Sequence, residues 1–563
     1  MRKALLIYLY GKGEPGLSLA LGFLKAYADA DAEVGEGWEI ELYHRCLDAD
    51  PAEVVDRIDR AGADLVGFSC YSWNLRAVQQ VVSRLARAGR PRVVLGGVEV
   101  TPRPADVLRK SRNVDFVVVG EGEQTFRELL RRLGRDGAGA GRDLGDIEGI
   151  AWRDGTAVRV NPPRAPIADL ATIPSPYLQG SYGDTVRRIA TVPVETARGC
   201  PFRCTFCFEP RGFKIMRAFP LERVKQELSC LARLGVAEIE FFDTNLNYDR
   251  RRAVEILRFL GTLRRRTRYR FELRAELIDE DQCRALAPLS FFAELGLQST
   301  NPRALAAVKR PTDLAKFEAG VRALLRASIY RPCSYSPLAG VLIDVMVGLP
   351  HDTAADVLRT FDYAFGLVPS RIGVAITKVL PGTELHDDVM RGKFRYQVDA
   401  DADHVIRATA TLSKQEVREF VFFKCAVDSA YNKLHAVRTI GWMARELGLK
   451  PSAIFLEYAR RLAAAGRPWE HYTVKDLTGI LAEIGRTHGS EAVASQVGAK
   501  LAAEAMLNLL QNFKEKRRAW WSRLLFMTGH ALARRFGGLA PLPEAAPAAV
   551  AAAPRPAPAR TET

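Results

Sequence analysis

The chain has 563 residues, of which 48% are hydrophobic, 26% charged and 9% aromatic. This composition is typical of a folded globular protein and excludes a disordered chain, a collagen-like repeat and a small disulfide scaffold. At about 150 residues per domain, a chain of this length forms about three or four domains.

The net charge and the cysteines restrict the function further. The charge of +15 comes from basic residues spread along the chain, so nucleic acid is not an expected partner. The nine cysteines are odd in number and three are crowded together, which favours a metal site in a reducing compartment over a disulfide framework. No run of about 18 uncharged apolar residues is present, and the first apolar run lacks a cleavage site. We therefore expect a cytoplasmic protein without stable membrane association.

Residues 1–130 alternate short apolar runs with helical patterns. The predicted strands are ALLIYLY, WEIELY, DLVGFSC, RVVLGG and DFVVVGEGE, and the predicted helices run from Leu17 to Tyr27 and begin again at Pro51 and Leu75. This rhythm predicts an α/β fold in which helices cover both faces of a doubly wound parallel sheet. Such sheets bind their ligands at the carboxyl ends of the strands.

The rest of the chain divides into four parts. Residues 131–190 contain Gly- and Pro-rich stretches around the segment GIAWRDGTAVRV, which predicts a hairpin and linker between two domains. Residues 191–390 return to strands and helices, and six strand-like runs predict a partial β/α barrel with its chemistry at the strand ends. Residues 391–538 predict an α-helical region, and residues 539–563 a disordered Ala- and Pro-rich tail.

The segment TARGCPFRCTFCFEP gives the most specific chemical signal. It places Cys200, Cys204 and Cys207 on one loop directly after a predicted strand. A structural zinc site takes four protein ligands, and the sequence has no CxxC pair elsewhere to complete one. Three thiolates on a tight loop instead suit an iron–sulfur cluster that leaves one iron open to an external ligand.

With this loop the chain resembles the radical S-adenosylmethionine (SAM) family, whose members hold a [4Fe-4S] cluster through the same cysteine spacing. Phe206, directly before the third cysteine, matches the family pattern, and the segments FFDTN, RAE and ELGLQS match it at the ends of later strands. The resemblance implies that SAM binds the open iron. It also implies SAM contacts from residues at these strand ends, namely Asp243, Arg274, Glu276, Gln298 and Ser299.

The amino-terminal domain resembles the cobalamin-binding domain that precedes the barrel in many radical SAM enzymes. Glycines at strand ends let the backbone approach a flat or phosphate-bearing ligand, although any doubly wound sheet also uses them in tight turns. The cobalamin contacts that this resemblance implies are Gly96, Gly97, Gly120, Glu121, Gly122 and Glu123.

Domains that supply a histidine to cobalt carry Asp-x-His-x-x-Gly after the first strand, where this chain has the segment Tyr10-Gly11-Lys12-Gly13. We therefore expect no histidine ligand. The candidates for the lower face of cobalt are Tyr10, Ser69, Trp73, Asn74 and Arg76.

Together the two resemblances imply a cobalamin-dependent radical SAM C-methyltransferase of peptide-antibiotic biosynthesis. Such an enzyme moves a methyl group from SAM through methylcobalamin to an unactivated or aromatic carbon, and the single substrate we favour is carbon 2 of tryptophan. A base must then take a proton from the methylated carbon, and Tyr330, Tyr335 and Asp344 are candidates by position. In a non-radical route a carboxylate could occupy the open iron, and the candidates for that role are Asp243, Glu209, Glu240 and Glu276.

Other functions share these motifs. A radical methylase of an sp³ carbon would use the same cofactors, and so would a cobalamin-dependent cyclase or oxidative enzyme, whose product lacks the added methyl mass. A cobalamin-binding sensor with a degenerate barrel is the non-enzymatic alternative, and the intact cysteine triplet argues against it. For the enzymes, the expected partners are a small-molecule substrate, such as tryptophan or a related natural-product precursor, and an electron donor.

Overall fold

The computed structural model describes residues 1–11, 15–85, 89–135, 143–208, 215–263, 267–329, 340–399, 403–466 and 468–516. Glu209, Tyr330, Tyr335 and the predicted tail 539–563 lie outside the described residues. The described part consists of two mainly parallel sheets, each covered by helices, followed by a helical region. The predicted α/β fold class is therefore confirmed.

The first sheet has seven strands in the order β2-β1-β3-β4-β5-β6-β7, and β1 to β5 are parallel. Its elements, in chain order, are β1 (Arg2–Tyr10), α1 (Leu19–Asp29), α2 (Ala32–Gly37), β2 (Trp38–Cys46), α3 (Pro51–Ala61), β3 (Leu65–Ser69), α4 (Leu75–Arg84), β4 (Arg92–Gly96), α5 (Pro104–Lys110), β5 (Phe116–Val118), α6 (Glu123–Arg135), β6 (Ile150–Asp154) and β7 (Ala157–Val160). The chain order reverses between β1 and β3, which is where doubly wound sheets bind ligands.

The predicted hairpin forms as β6 and β7, but it is not a separate spacer. Strand β6 pairs antiparallel with β5, from Phe116 opposite Trp152 to Val118 opposite Ile150. The apolar side chains of β6 are buried. The pairing also covers the backbone edge that β5 would otherwise expose. The hairpin thus extends the first sheet, and the position of the domain boundary stays a prediction.

The second sheet contains six parallel strands in the order β15-β14-β13-β12-β11-β8. Its part of the chain comprises α7 (Thr185–Arg188), β8 (Thr191–Val194), β9 (Ala197–Arg198), β10 (Arg217–Ala218), α8 (Leu221–Leu234), β11 (Glu238–Phe241), α9 (Arg250–Thr262), β12 (Arg268–Leu273), α10 (Glu280–Leu286), β13 (Ser290–Gln298), α11 (Pro302–Ala307), α12 (Leu314–Ile329), β14 (Gly340–Val347), α13 (Ala354–Gly366) and β15 (Arg371–Ile376). The six strand-like runs of the sequence correspond to these six strands.

Local capping explains where the barrel helices begin. The Asp279 side chain accepts a hydrogen bond from the Gln282 N–H and starts α10. Thr353 and Asp356 form a reciprocal capping box at the start of α13. Both signals follow a strand after one short loop, so each fixes where the chain returns from the sheet into a helix.

The helical region packs on the barrel. It contains α14 (Glu384–Met390), β16 (Gln397–Val398), β17 (Ile406–Ala408), α15 (Lys414–Ala426), a π-helix (Val427–Lys433), α16 (Val437–Glu446), α17 (Pro451–Ala465), α18 (Val474–Thr487) and α19 (Glu491–Lys516). Phe361 of α13 meets Phe423 and Phe455 edge to face, with ring centroids 4.9 and 5.1 Å apart. No helix within the described residues has the length and apolar character needed to cross a membrane.

Candidate functional site

The cysteine loop leaves the carboxyl end of β8 and is closed at its neck by a short antiparallel pair. Arg198 of β9 lies opposite Arg217 of β10, and the three cysteines follow between them in the chain. Cys204 is buried, whereas Cys200 and Cys207 are half-buried. The loop is anchored to the barrel helices by its backbone, because the Thr205 N–H donates to the Val308 carbonyl.

A cavity of about 300 Å³ opens beside this loop, at the carboxyl ends of the barrel strands. All three cysteines line it, together with side chains from four neighbouring strand ends and from the turn after α11. These additional lining residues are Phe202, Phe206, Thr244, Asn245, Glu272, Leu273, Arg274, Glu294, Gly296, Gln298, Arg310 and Asp344.

The chemistry of the three cysteines fits an iron–sulfur cluster. In a cluster each thiolate binds a different iron, so three cysteines on one loop can hold it together and leave one iron open. The three thiols and the cavity beside them therefore fit a [4Fe-4S] cluster with an open side.

Buried polar atoms in this cavity also fit a polar ligand. Among the described residues, Asn245 Oδ1 and Arg310 Nε are buried without a hydrogen-bond partner. The Arg310 Nη1 lies 3.6 Å from Cys204 Sγ, so a positive charge stands next to one thiol of the loop. Sequence reasoning missed Arg310 because it follows α11 in a turn that carries no motif of its own.

Two of the residues expected to contact SAM, Arg274 and Gln298, line the cavity, and so does Phe206 of the cysteine loop. Arg274 is buried, its guanidinium lies 4.3 Å from the centre of the Phe202 ring, and it pairs with Glu276 at 2.8 Å. Glu276 thus reaches the site through Arg274 and is not itself a lining residue.

Asp243 and Ser299 have other partners than expected. Asp243 accepts hydrogen bonds from the Thr196 N–H and hydroxyl at 3.0 and 2.6 Å, and burial raises its pKa to about 7. The Ser299 hydroxyl donates to Asp352 at 3.1 Å and is fully buried. Both side chains lie outside the cavity lining, and each satisfies a neighbouring buried polar group. Their role as SAM contacts stays a prediction.

Asp344 projects into the same cavity from β14, near Glu294 of β13. Burial and the nearby Glu294 carboxylate raise the pKa of Asp344 to about 7, against the charge of Arg310. A carboxyl group with a pKa near neutrality can accept and release a proton under ordinary conditions. Of the three base candidates, Asp344 is the one that the structure describes.

A second cavity, of about 370 Å³, lies between the first sheet and the barrel. Gly96, Gly97, Gly120 and Gly122 line it as expected, and so do Glu121 and Glu123. Its floor is apolar and consists of sheet and helix residues such as Leu6, Val94, Val118 and Phe126. An apolar cleft with glycine backbone at its rim fits a large flat cofactor with a tail, as cobalamin has.

The candidates for the lower face of cobalt are not all at this cleft. Ser69 lines it. Asn74 is fully buried and holds the end of β3, because its amide donates to the carbonyls of Leu9 and Ser69. Three others lie outside the lining, namely Tyr10, the exposed Arg76 and the partly exposed Trp73.

Trp73 instead stacks on Tyr71, with ring centroids 4.5 Å apart and planes 9° from parallel. Tyr71 lines the cleft, and sequence reasoning missed it because only its position after β3 distinguishes it from other tyrosines.

Gly97 has a backbone that another residue would strain. Its φ is +109°, and a Cβ atom there would lie 2.5 Å from the Cys70 carbonyl oxygen. We expect Gly97→Ala to lower the free energy of unfolding by at least about 1–3 kcal/mol and to weaken hydroxocobalamin binding, since the cleft wall must shift. Urea titration and spectrophotometric binding measure the two effects. Gly37→Ala, which has open space around its Cβ position, is the control and should change neither.

The two cavities adjoin each other. Thr244, at the end of β11, lines both of them, and its hydroxyl donates to the Gly199 carbonyl at 2.8 Å. Apolar packing also joins the first sheet's helices to the barrel part of the chain, since the ring of Phe23 of α1 stacks on that of Phe219 with centroids 5.6 Å apart. A ligand in the cleft would therefore face a ligand in the cysteine-lined cavity.

Comparison with known proteins agrees with this division. Residues 26–130 match the model of the B12 binding domain, and residues 194–364 match that of the radical SAM superfamily. The chain is 30% identical over 327 residues to the 2-(S-pantetheinyl)-carbapenam-3-carboxylate methyltransferase of Streptantibioticus cattleyicolor, covering 54% of this chain and 46% of that relative. It is 32% identical over 249 residues to the cobalamin-dependent radical SAM methyltransferase TokK of Streptomyces tokunonensis, covering 42% and 35%. The chain thus spans less than half the length of both relatives.

Two solved structures share the fold. The radical SAM methyltransferase TsrM from Kitasatospora setae, determined with tryptophan and a SAM analogue, superposes with a TM-score of 0.55 at 19% identity, covering 70% of this chain and 76% of TsrM. The cobalamin-dependent SAM radical enzyme OxsB, determined with aqua-cobalamin and SAM, superposes with a TM-score of 0.59 at 13% identity, covering 96% and 84%.

Proposed function

We infer that this protein is a cobalamin-dependent radical SAM methyltransferase that acts on a small molecule. The inference starts from a chain in which a match to the B12-binding domain precedes a match to the radical SAM domain. The observation that carries this proposal is the contact of the two cavities at Thr244, because a methyl group has to pass from a donor in one site to a substrate at the other. The names of the two sequence relatives support it, and both are methyltransferases.

In the proposed function the bound cofactors supply the reactive groups, and the protein holds these cofactors in place. When bound, the [4Fe-4S] cluster, SAM and cobalamin supply electrons and a transferable methyl group. The three cysteine thiolates would hold the cluster, Arg274, Gln298 and Asn245 would hold SAM, and the glycine-lined cleft would hold cobalamin. The low-potential electrons need an external donor, which we expect as a partner. For the location we propose the cytoplasm, whose reducing conditions suit a cysteine loop that holds a cluster.

For the substrate we propose carbon 2 of tryptophan, in peptide-antibiotic biosynthesis. Methylation of this carbon forms a carbon–carbon bond and then breaks the carbon–hydrogen bond at the same atom, so the proton needs an acceptor. We propose Asp344 as the acceptor, since its carboxyl group lines the cavity that Arg310 also lines.

The proposed role of Asp344 predicts a pH dependence. Its deprotonated form accepts the proton, so the rate of methyl transfer should rise with pH through about 7 and then level off. Asp344→Asn should lower kcat by about 100-fold or more and remove that rise. Asp352→Asn is the matched control, because burial also raises the pKa of Asp352 to about 7 but its side chain lies outside the cavity lining. A pH midpoint unchanged in Asp344→Asn would contradict the role.

The substrate is tested by anaerobic incubation of the reconstituted protein with SAM, hydroxocobalamin, a low-potential reductant and tryptophan, followed by mass spectrometry. Methyltryptophan with S-adenosylhomocysteine, but without 5′-deoxyadenosine, is the expected result for the non-radical route. Release of 5′-deoxyadenosine without methyltryptophan would contradict tryptophan as the substrate.

A second candidate, the radical methylation of an sp³ carbon, is supported by the relative that is named for a carbapenam substrate. That function predicts 5′-deoxyadenosine together with S-adenosylhomocysteine once the correct substrate is supplied. A product without an added methyl group would indicate the cyclase or oxidative alternative instead.

A further inference from the structure

Two like charges face each other at the neck of the cysteine loop. Arg198 and Arg217 are direct partners in the two-residue ladder of β9 and β10. Both side chains are largely buried, with 9% and 11% of their surface exposed. Like charges opposite each other destabilise a strand pair, and burial strengthens the repulsion because less water screens it. The neck therefore needs a counterion.

Glu121 provides one from the other domain. Its Oε1 lies 2.8 Å from Arg217 Nη2 and 3.2 Å from Arg198 Nη1, and its Oε2 accepts from the Ile167 N–H at 2.6 Å. Burial alone would raise the pKa of Glu121. The hydrogen bond from Arg217 and the positive charges of Arg198 and Arg217 nevertheless lower that pKa. One carboxylate thus bridges both arginines.

The position of Glu121 links the neck to the cleft. It stands between Gly120 and Gly122, directly before α6, and this turn lines the cleft between the sheet and the barrel. Arg198 is joined in the same way to Glu123, at 2.7 Å. The domain that forms the cleft therefore supplies Glu121 and Glu123 to the arginines of the neck, beside Glu195 from the barrel part of the chain.

We propose that Glu121 is a positioning residue that keeps the neck of the cysteine loop closed and so makes retention of the cluster depend on the docked amino-terminal domain. This inference rests on the proposed function only in requiring that the loop holds a cluster. It assigns no chemistry to Glu121, which acts through Arg198 and Arg217. It also explains why the wall of the cleft carries a glutamate between Gly120 and Gly122.

The test measures iron release rather than methyl transfer. Full-length protein is reconstituted anaerobically without cobalamin, so that changes in the cleft do not enter, and the rate of iron loss to a ferrous chelator is recorded. Glu121→Gln should lose iron at least about fivefold faster than the wild type, because a neutral amide removes the one carboxylate that bridges both arginines and leaves only the charges of Glu123 and Glu195, which contact Arg198. Glu121→Asp should restore part of the retention. Glu128→Gln is the control, since Glu128 lies on α6, the helix that follows Glu121, and pairs with Arg164 instead.

A double variant separates charge from mere loss of a contact. If repulsion opens the neck, Glu121→Gln combined with Arg217→Gln should retain iron longer than Glu121→Gln alone. Equal iron loss in the wild type and Glu121→Gln would overturn the proposal, and so would a double variant that loses iron faster than the single one. A wild-type chain that takes up no iron would overturn the proposed function and this inference together, whereas unequal iron loss without any methyl transfer would overturn the proposed function alone.

Discussion

Replacement of Cys200, Cys204 and Cys207 by alanine should remove the iron–sulfur absorbance and the proposed methyl transfer activity while the chain stays folded. In the proposed function the three thiolates hold the cluster, whereas the loop is held in place independently by the Thr205 N–H bond to Val308 and by the β9–β10 neck. Removal of a residue that only supports a metal ligand lowers activity by up to about 100-fold. Removal of the three ligands themselves should lower it by more. Iron analysis, absorbance spectroscopy and the methyl transfer assay measure these effects.

Isolated cysteines provide the matched control. Cys230 and Cys425 lie on helices α8 and α15, and both are half-buried free thiols. Their replacement by alanine should leave iron content and activity unchanged. Activity that persists in the triple alanine variant would show that the cysteine loop is not the reactive centre.

Replacement of Arg198 by methionine should produce the largest loss of stability. The Arg198 guanidinium contacts Glu121, Glu123 and Glu195 at 3.2, 2.7 and 2.9 Å, and the three carboxylates lie in the same buried region. Without the guanidinium these charges have less compensation, and removing one member of a buried ion pair costs about 3–5 kcal/mol. Urea unfolding of the cluster-free protein, followed by circular dichroism, measures the loss.

The loss should depend on pH in a defined direction. Burial raises the pKa of Glu195 even in the presence of Arg198, and removal of Arg198 raises it further. A carboxyl group whose pKa is higher in the folded state destabilises the fold as pH rises above its unfolded value of about 4.3. The deficit of Arg198→Met should therefore shrink as the pH is lowered from about 8 towards 5. Arg198→Lys, which keeps the charge, should lose less, and a deficit independent of pH would contradict this explanation.

The sequence predicted the strands and the cysteine loop well because their signals are local. Buried parallel strands are continuous apolar runs, helix starts carry caps such as Asp279 and Thr353, and the cysteine spacing lies within one loop. The glycines of the cleft were also predicted, since each follows a strand and a strand end in such a sheet faces the ligand.

Side-chain direction at the strand ends was harder to predict. Asp243, Ser299 and Asn74 have the residue types and positions of ligands, yet each satisfies a buried backbone or side-chain group nearby. Residues such as these serve equally as caps and as ligands, so type and position alone do not decide between the two roles. The surrounding donors and acceptors decide it, and they come from segments that are distant in the chain.

The other features that the sequence does not predict depend on tertiary contacts between segments that are distant in the chain. Arg310 reaches Cys204 across 106 positions of the chain, and Glu121 reaches Arg217 across 96. No local pattern marks Arg310, and the strand-end pattern around Glu121 predicts a cobalamin contact but not its pairing with Arg217. The predicted hairpin was found, but its attachment to β5 depends on an unpaired sheet edge that only the assembled sheet presents.

In the proposed function, methyl groups leave SAM in a reaction that requires both cobalamin and the cysteine loop. The most direct measurement is S-adenosylhomocysteine formed anaerobically by the reconstituted protein with SAM, hydroxocobalamin, a low-potential reductant and tryptophan, compared with the same mixture without cobalamin. We expect S-adenosylhomocysteine and a methylated product in the complete mixture and neither without cobalamin. S-adenosylhomocysteine formed equally in the absence of cobalamin, by protein whose cluster content has been verified, would contradict the proposed function.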